Sequence, residues 1–184
     1  MRVISGSAKG RRLKEPKGMD IRPTADQVKE AMFSIIQFEI QGARVLDMFA
    51  GTGQLGIEAL SRGAKEAVFC DEGVMSQRLV AENLKICGFE NKGRFYRGDA
   101  RKLLQGLGKF DVIILDPPYA TGLYEECLEK IIEFDILNEN GIIICESLKE
   151  RQMPLLPPEF AAAKEYRYGK KKLTLYRRKG REEE

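Results

Sequence analysis

The chain has 184 residues, enough for one domain with a sizeable core, and its 31 Lys and Arg against 28 Asp and Glu leave a net charge of +3. It holds no run of about 18 apolar residues that could span a membrane, and Met1-Arg2-Val3-Ile4-Ser5-Gly6 lacks the apolar stretch of a secretory signal, so a cytoplasmic protein is expected. With no His, and no C-x-x-C spacing among Cys70, Cys87, Cys127 and Cys145, the sequence argues against a metal site, a His-based triad and a disulfide framework.

Residues 1–14 alternate in places and read as a small hairpin. A helix is predicted over 24–38, with Thr24 and Gln27 as a capping box and Val28, Met32, Ile35 and Ile36 as its apolar face. Strands and helices then alternate, the pattern of a parallel α/β sheet. The strands read at 43–48, 66–70, 93–98, 110–115 and 141–147, and the helices at 54–62, 75–87, 100–106 and 122–134. Asn138-Glu139-Asn140-Gly141 reads as a turn before the fifth strand. Pro154, Pro157 and Pro158 mark a loop, and two late strands follow near 162–168 and 172–178. With no repeats and no low-complexity linker, residues 1–184 read as a single domain: an extension over 1–40 and an α/β core over 41–184.

Two segments carry chemistry. In the first, the strand Val45-Leu46-Asp47 runs into Met48-Phe49-Ala50-Gly51-Thr52-Gly53, where glycines permit positive φ and close approach of a ligand to the backbone. The spacing Gly51-x-Gly53-x-x-Gly56 also fits a dinucleotide fingerprint, which keeps phosphate binding open. Asp47 argues against that reading, because a carboxylate there repels a pyrophosphate and attracts an amino-acid ammonium or a sulfonium. Asp71, followed by Glu72, ends the next strand, where it can accept from ribose hydroxyls; Asp99, followed by Ala100, ends the third, near an adenine amino group. In the second segment, the apolar strand Val112-Ile113-Ile114-Leu115 stops at Asp116-Pro117-Pro118-Tyr119. Two prolines fix φ and remove donors, so a carboxylate, a rigid carbonyl-bearing turn and an aromatic face stand together at a strand's C-terminal end. That group suits a planar aromatic amine. Alone it could be only a strand-ending turn, but four carboxylates at successive strand ends are hard to explain as caps.

Asp116-Pro117-Pro118-Tyr119 resembles motif IV of the amino-methyltransferases. Over nearly its whole length the chain resembles the RsmD-type 16S ribosomal RNA guanine-N2 methyltransferases. The matching motifs are Arg2-Val3-Ile4-Ser5-Gly6 with Lys9-Gly10-Arg11, Ile21-Arg22-Pro23-Thr24, Glu30-Ala31-Met32-Phe33-Ser34, the Leu46–Gly53 segment, Gly98-Asp99-Ala100, the Asp116 motif and Tyr168-Gly169-Lys170. The resemblance implies a class I methyltransferase fold, Rossmann-like, with a seven-stranded, mostly parallel sheet, helices on both faces and an antiparallel last strand. It also implies S-adenosylmethionine as cofactor and small-subunit ribosomal RNA or an assembly intermediate as partner; a monomer is expected, though the sequence does not itself speak to oligomeric state. Asp47, Phe49, Gly51, Thr52, Gly53, Asp71 or Glu72, Asp99 and Ala100 would hold the cofactor; Asp116, Pro117, Pro118 and Tyr119 would hold the target amine. The family usually has Glu where this chain has Asp71, which leaves Asp71 and Glu72 both open as the ribose partner, with Asp71 favoured by register.

The charge is polar along the chain. Residues 1–22 carry seven Lys and Arg against two acids, residues 164–181 carry nine against one, and the stretch between them is acidic. Basic ends around an acidic middle suggest an anionic polymer beside the pocket. Lys9, Arg11, Arg12, Lys14, Arg22, Thr24, Lys170, Lys171 and Lys172 are the expected RNA contacts. A DNA adenine or cytosine amino-methyltransferase, a protein-glutamine methyltransferase and a catalytically idle RNA-binding assembly factor are the competing readings, with a nicotinamide-dependent reductase the weakest.

Overall fold

The computed structural model describes residues 1–16, 24–118 and 122–179. Seven strands, β1 (Arg44–Asp47), β2 (Glu66–Asp71), β3 (Gly93–Arg97), β4 (Phe110–Leu115), β5 (Leu137–Leu148), β6 (Lys164–Tyr168) and β7 (Lys171–Arg177), form one sheet in the order β3-β2-β1-β4-β5-β7-β6. The first five run parallel, and β7 is antiparallel to both β5 and β6. The class I methyltransferase fold expected from the sequence is the one observed. The central strands are near-continuous apolar runs because both of their faces are covered.

The helices are α1 (Thr24–Ile35), α2 (Gln37–Ile40), α3 (Gln54–Ser61), α4 (Val74–Cys87), α5 (Ala100–Leu103) and α6 (Leu123–Glu133). Side chains of α1, α3, α4 and the N-terminal segment pack on one face of the sheet, forming a core with Val45, Phe69, Ile114, Ile144 and Leu173. The second core, on the other face, joins α5 and α6 to Leu46, Val68, Ile113, Leu115 and Cys145. Connections leave β1 toward β2 on one side and reach β4 on the other, so the strand order reverses between β1 and β4. In an open α/β sheet the crevice at that reversal, outside the carboxyl ends of the strands, is the place for a ligand.

Three boundaries differ from the sequence reading. The helix expected over 24–38 divides at Ile36, whose φ of −103° and ψ of 21° leave the helical region before α2 starts. The helix expected over 100–106 ends at Leu103, ahead of Gly106 and Gly108, which both adopt positive φ. The turn expected at Asn138–Gly141 lies inside β5 as an irregularity: Phe110 pairs with Leu137, and Val112 already pairs with Ile142. Asn138 stays on the strand because its side-chain amide donates to Asp111 Oδ1 at 2.6 Å.

The N-terminal hairpin is present in minimal form. Arg2 bridges Arg12, and Val3 N–H donates to Arg11 C=O at 3.0 Å. A buried charge network straps it to α3. The Glu58 carboxylate accepts from Ile4 N (2.8 Å), Ser5 N (3.0 Å) and Arg62 Nε (2.8 Å), and Lys29 of α1 donates to Arg2 C=O at 2.7 Å. Burial holds the Lys29 ammonium below its ordinary pKa even though Glu58 stands 3.7 Å away. Asn83 of α4 ties the same segment to the Gly-rich turn, accepting from Lys14 N at 2.6 Å and donating to Thr52 C=O at 2.9 Å. No helix among the described residues is long and apolar enough to cross a membrane.

Candidate active site

The carboxyl ends of β1 to β4 bring the sequence-expected carboxylates to one rim. A cleft of about 270 Å³ opens there. Of the residues expected to act, Phe49, Asp71, Glu72, Asp99, Ala100 and Pro118 line it. Met48, Gly98, Arg101 and Leu123 line it too and were not anticipated. Asp47, Gly51, Thr52, Gly53, Asp116 and Pro117 lie outside that lining. Tyr119 and Arg22 are outside the described residues, as is the side chain of Thr24.

The Gly-rich turn is built by its neighbours. Gly51 has a φ of 53° and Gly53 one of 79°, and Gly53 starts α3. Gly56 serves packing: a Cβ there would lie 2.3 Å from Phe69 Cε1, so only glycine lets α3 sit this close to β2. Asp71 braces the turn, with Oδ2 accepting from Gly51 N at 2.9 Å and Oδ1 from Gly73 N at 2.8 Å. A carboxylate has about four lone-pair sites, so Asp71 retains acceptor capacity beyond these bonds. Glu72 is exposed beside it.

Asp99 caps α5. Its Oδ1 accepts from Arg101 N at 3.0 Å and from Arg101 Nε at 2.8 Å, and its Oδ2 from Arg101 Nη2 at 2.7 Å. The Arg101 hydrogen bonds hold the Asp99 carboxyl below the usual range. Arg101 also pairs with Glu126 of α6, which closes the outer edge of the cleft. Spacing alone could have flagged Arg101, since a cation two residues after an N-capping Asp can fold back on it.

Asp47 is 1% exposed. Its Oδ2 accepts from Gly56 N at 3.0 Å, while Oδ1 is buried with no partner among the described residues. Burial pushes its carboxyl up to about 7; the Gly56 N–H and, more weakly, the Phe49 N–H work against that shift, and the charges of Asp116 and Asp71 add to it. An unpartnered acceptor at this depth is what a cationic cofactor group would satisfy. Asp116 stands just past β4, half-buried, and burial pushes its carboxyl up to about 6 against the pull of the Lys171 ammonium. Among the described residues no hydrogen-bond donor reaches its carboxylate.

Lys9, Arg11, Arg12, Lys14 and Lys170 are exposed, and Lys14 pairs with Glu82 at 2.7 Å. Two lysines expected at the RNA surface sit elsewhere. Lys172 is 4% exposed, its ammonium donating to Arg151 C=O at 2.7 Å and Glu165 Oε1 at 2.6 Å. Strand alternation puts it on the opposite face of β7 from Lys171 and into protein. Lys171 turns toward the site, donating to Glu146 Oε1 at 2.6 Å.

The family model "Conserved hypothetical protein 95" matches residues 1–177. "Putative rRNA methyltransferase YlbH" of Bacillus subtilis is 39% identical over 184 residues, covering 98% of this chain and 100% of its own. "Ribosomal RNA small subunit methyltransferase D" of Escherichia coli K12 is 33% identical over 185 residues, covering 100% and 92%. The solved structure of "Putative methyltransferase yhhF from Escherichia coli" superposes with a TM-score of 0.87 at 29% identity, covering 98% of this chain and 99% of that one. The chain therefore belongs to the conserved hypothetical protein 95 family, the RsmD family of class I methyltransferases.

Proposed function

We propose that the protein methylates the exocyclic N2 amine of a guanine in 16S ribosomal RNA, with S-adenosylmethionine as methyl donor. One observation carries this reading: an Asp-Pro-Pro turn ends β4 at the sheet's reversal point, on the same rim as three further strand-end carboxylates and the cleft. Relatives named as ribosomal RNA small subunit methyltransferases support the polymer.

Asp47 and the Gly51–Gly53 turn would hold the methionine end of the cofactor, Asp71 the ribose, and Asp99 with the Ala100 N–H the adenine. Phe49 would pack against the nucleoside, with Glu72 beside the ribose. The bound cofactor would supply an electrophilic methyl on a cationic sulfur that leaves as a neutral thioether. The chain's own task is to hold the amine. An exocyclic amine is a poor nucleophile because its lone pair is delocalised into the ring. Hydrogen bonds from its N–H groups to the Asp116 carboxylate and the Pro117 carbonyl fix its position and favour a more tetrahedral nitrogen. Pro118 keeps that turn rigid, and Tyr119 supplies a stacking face for a base taken from a loop or flipped from its helix. The proton lost by the methylated amine passes to Asp116 or to water. Positioning of this kind is worth up to roughly 7–11 kcal/mol in model systems.

The exposed Lys9, Arg11, Arg12, Lys14 and Lys170 would meet phosphates, together with Arg22 and Thr24, and one copy of the chain suffices for the whole site. The test is transfer of labelled methyl to small ribosomal subunits lacking native modification, with the product nucleoside identified by mass spectrometry. N2-methylguanosine at a single site is expected. Label on duplex DNA or protein amides instead, or none despite cofactor binding, would overturn the reading.

A further inference from the structure

Glu146 belongs to no motif that marks the family, yet the sheet places it beside the reacting group. Leu115 of β4 is in register with Cys145 of β5, so the next residues, Asp116 just past β4 and Glu146 within β5, stand side by side. On antiparallel β7, Leu173 lies opposite Glu146 and Lys171 opposite Leu148, two residues further along the same face, from where its ammonium reaches back to Glu146 Oε1 at 2.6 Å. Strand side chains alternate between faces. Val112 and Ile114, Ile142 and Ile144, and Leu173 and Leu175 all enter the first core. Asp116, Glu146 and Lys171 therefore fall on the face that carries α1 and the basic N-terminal hairpin.

The Glu146 side chain is 14% exposed. Burial pushes it up to about 8, with the Asp116 charge adding to the shift. Its backbone is pinned as well, since the Tyr124 hydroxyl donates to Glu146 C=O at 2.5 Å. Two carboxylates sharing one ammonium at this depth are costly, and breaking even would need further donors. The Watson–Crick edge of guanine offers two donors and an acceptor in the order N2–H, N1–H, O6. Its complement is acceptor, acceptor, donor, which is the order of Asp116, Glu146 and Lys171 across β4, β5 and β7.

We propose that Glu146 accepts the N1–H of the target guanine while Asp116 holds its N2 amine, so that Glu146 sets the choice of base. Lys171 is a positioning residue that aims the Glu146 carboxylate and places positive charge on the O6 side. Adenine would set its N1 lone pair against the same carboxylate and is rejected for that reason. This inference rests on the guanine-N2 reading above.

The test compares RNA carrying guanine with RNA carrying 2-aminopurine at the methylated nucleotide, using wild type and Glu146→Gln. The analogue keeps the 2-amine, but its N1 is an acceptor and it has no O6. Wild type should prefer guanine by a factor on the order of 10² or more in kcat/KM. Glu146→Gln, whose amide can donate to a bare N1, should narrow that preference at least about tenfold with cofactor affinity unchanged. Lys171→Met should narrow it in the same direction. Equal use of both bases by wild type overturns the proposal even if the variant fails to fold. Proportional loss on both bases in Glu146→Gln also overturns it and marks a packing role. If wild type methylates guanine in no RNA, the guanine reading itself has failed and the inference falls with it.

Discussion

The two halves of the rim are built differently. At the ends of β2 and β3 the carboxylates are already hydrogen-bonded, Asp71 by two backbone N–H groups and Asp99 by the Arg101 fork. At the ends of β4 and β5, among the described residues, no donor reaches Asp116, and the Glu146 carboxylate takes a single ammonium. Asp47 stands between, with one oxygen bonded and one bare. The half proposed to hold the cofactor is thus organised by its own backbone and by the Arg101 side chain. On the proposed assignment the other half would keep its acceptors for a substrate; its desolvation cost shows as carboxyls raised to about 6 and about 8. These two groups interact, so they titrate as a pair.

This contrast can be broken in stages. The largest effect belongs to Asp116→Asn, which keeps shape but exchanges an acceptor for a donor. Methyl transfer should fall by at least about 10²-fold in single-turnover assays. Asp47→Asn should weaken cofactor affinity by roughly 10-fold or more, measured by calorimetry, because a charged acceptor for a cationic group is removed.

The pH dependence sharpens the same point. The folded-state pKa of Asp47, about 7, is raised from an ordinary 3.8, so between those values the free protein holds a proton that the unfolded chain has lost. A raised carboxyl of this kind lowers stability as pH rises through that window. A cationic cofactor favours the ionised form, so wild-type affinity should increase as pH rises toward 7 and level off above it, and Asp47→Asn should flatten the curve. Transfer should likewise increase with pH as the Asp116 and Glu146 pair ionises between about 6 and about 8.

Gly56→Ala tests whether the cofactor half is rigid by packing. Helix propensity favours alanine by about 1 kcal/mol, but the new Cβ, 2.3 Å from Phe69, forces overpacking that typically costs about 1–3 kcal/mol. A net loss of up to about 2 kcal/mol in denaturant unfolding is expected. The smallest effect should come from neutralising Arg11, Arg12 and Lys170 together. Substrate KM should rise, and its salt dependence should flatten by roughly 0.7 in log–log slope for each phosphate that is no longer neutralised. An unchanged slope would return these residues to ordinary solvated surface.

The cofactor half was the more legible in the sequence. Its strands are local apolar runs, its turn is marked by Gly51 and Gly53, Asp47 and Asp71 end their strands, and Asp99 comes two residues after its own. What escaped reading depends on partners distant in the chain. Lys29 and Glu58 look like surface charges of two helices, and only the fold buries them under the N-terminal hairpin. Lys172 looked like one more member of a basic run until pairing with β5 and β6 fixed which way it points. Glu146 joins Asp116 only through strand register, across a crossover of about 30 residues, which no local pattern reveals.

The most direct measurement is a crossed one: cofactor affinity and single-turnover methyl transfer, each measured on Asp47→Asn and on Asp116→Ala. Separate halves predict that Asp116→Ala binds cofactor like wild type and transfers almost nothing. Asp47→Asn should bind weakly and recover much of its transfer at saturating cofactor. Equal loss of binding and transfer in Asp116→Ala would make Asp116 a cofactor or folding residue and would contradict the division.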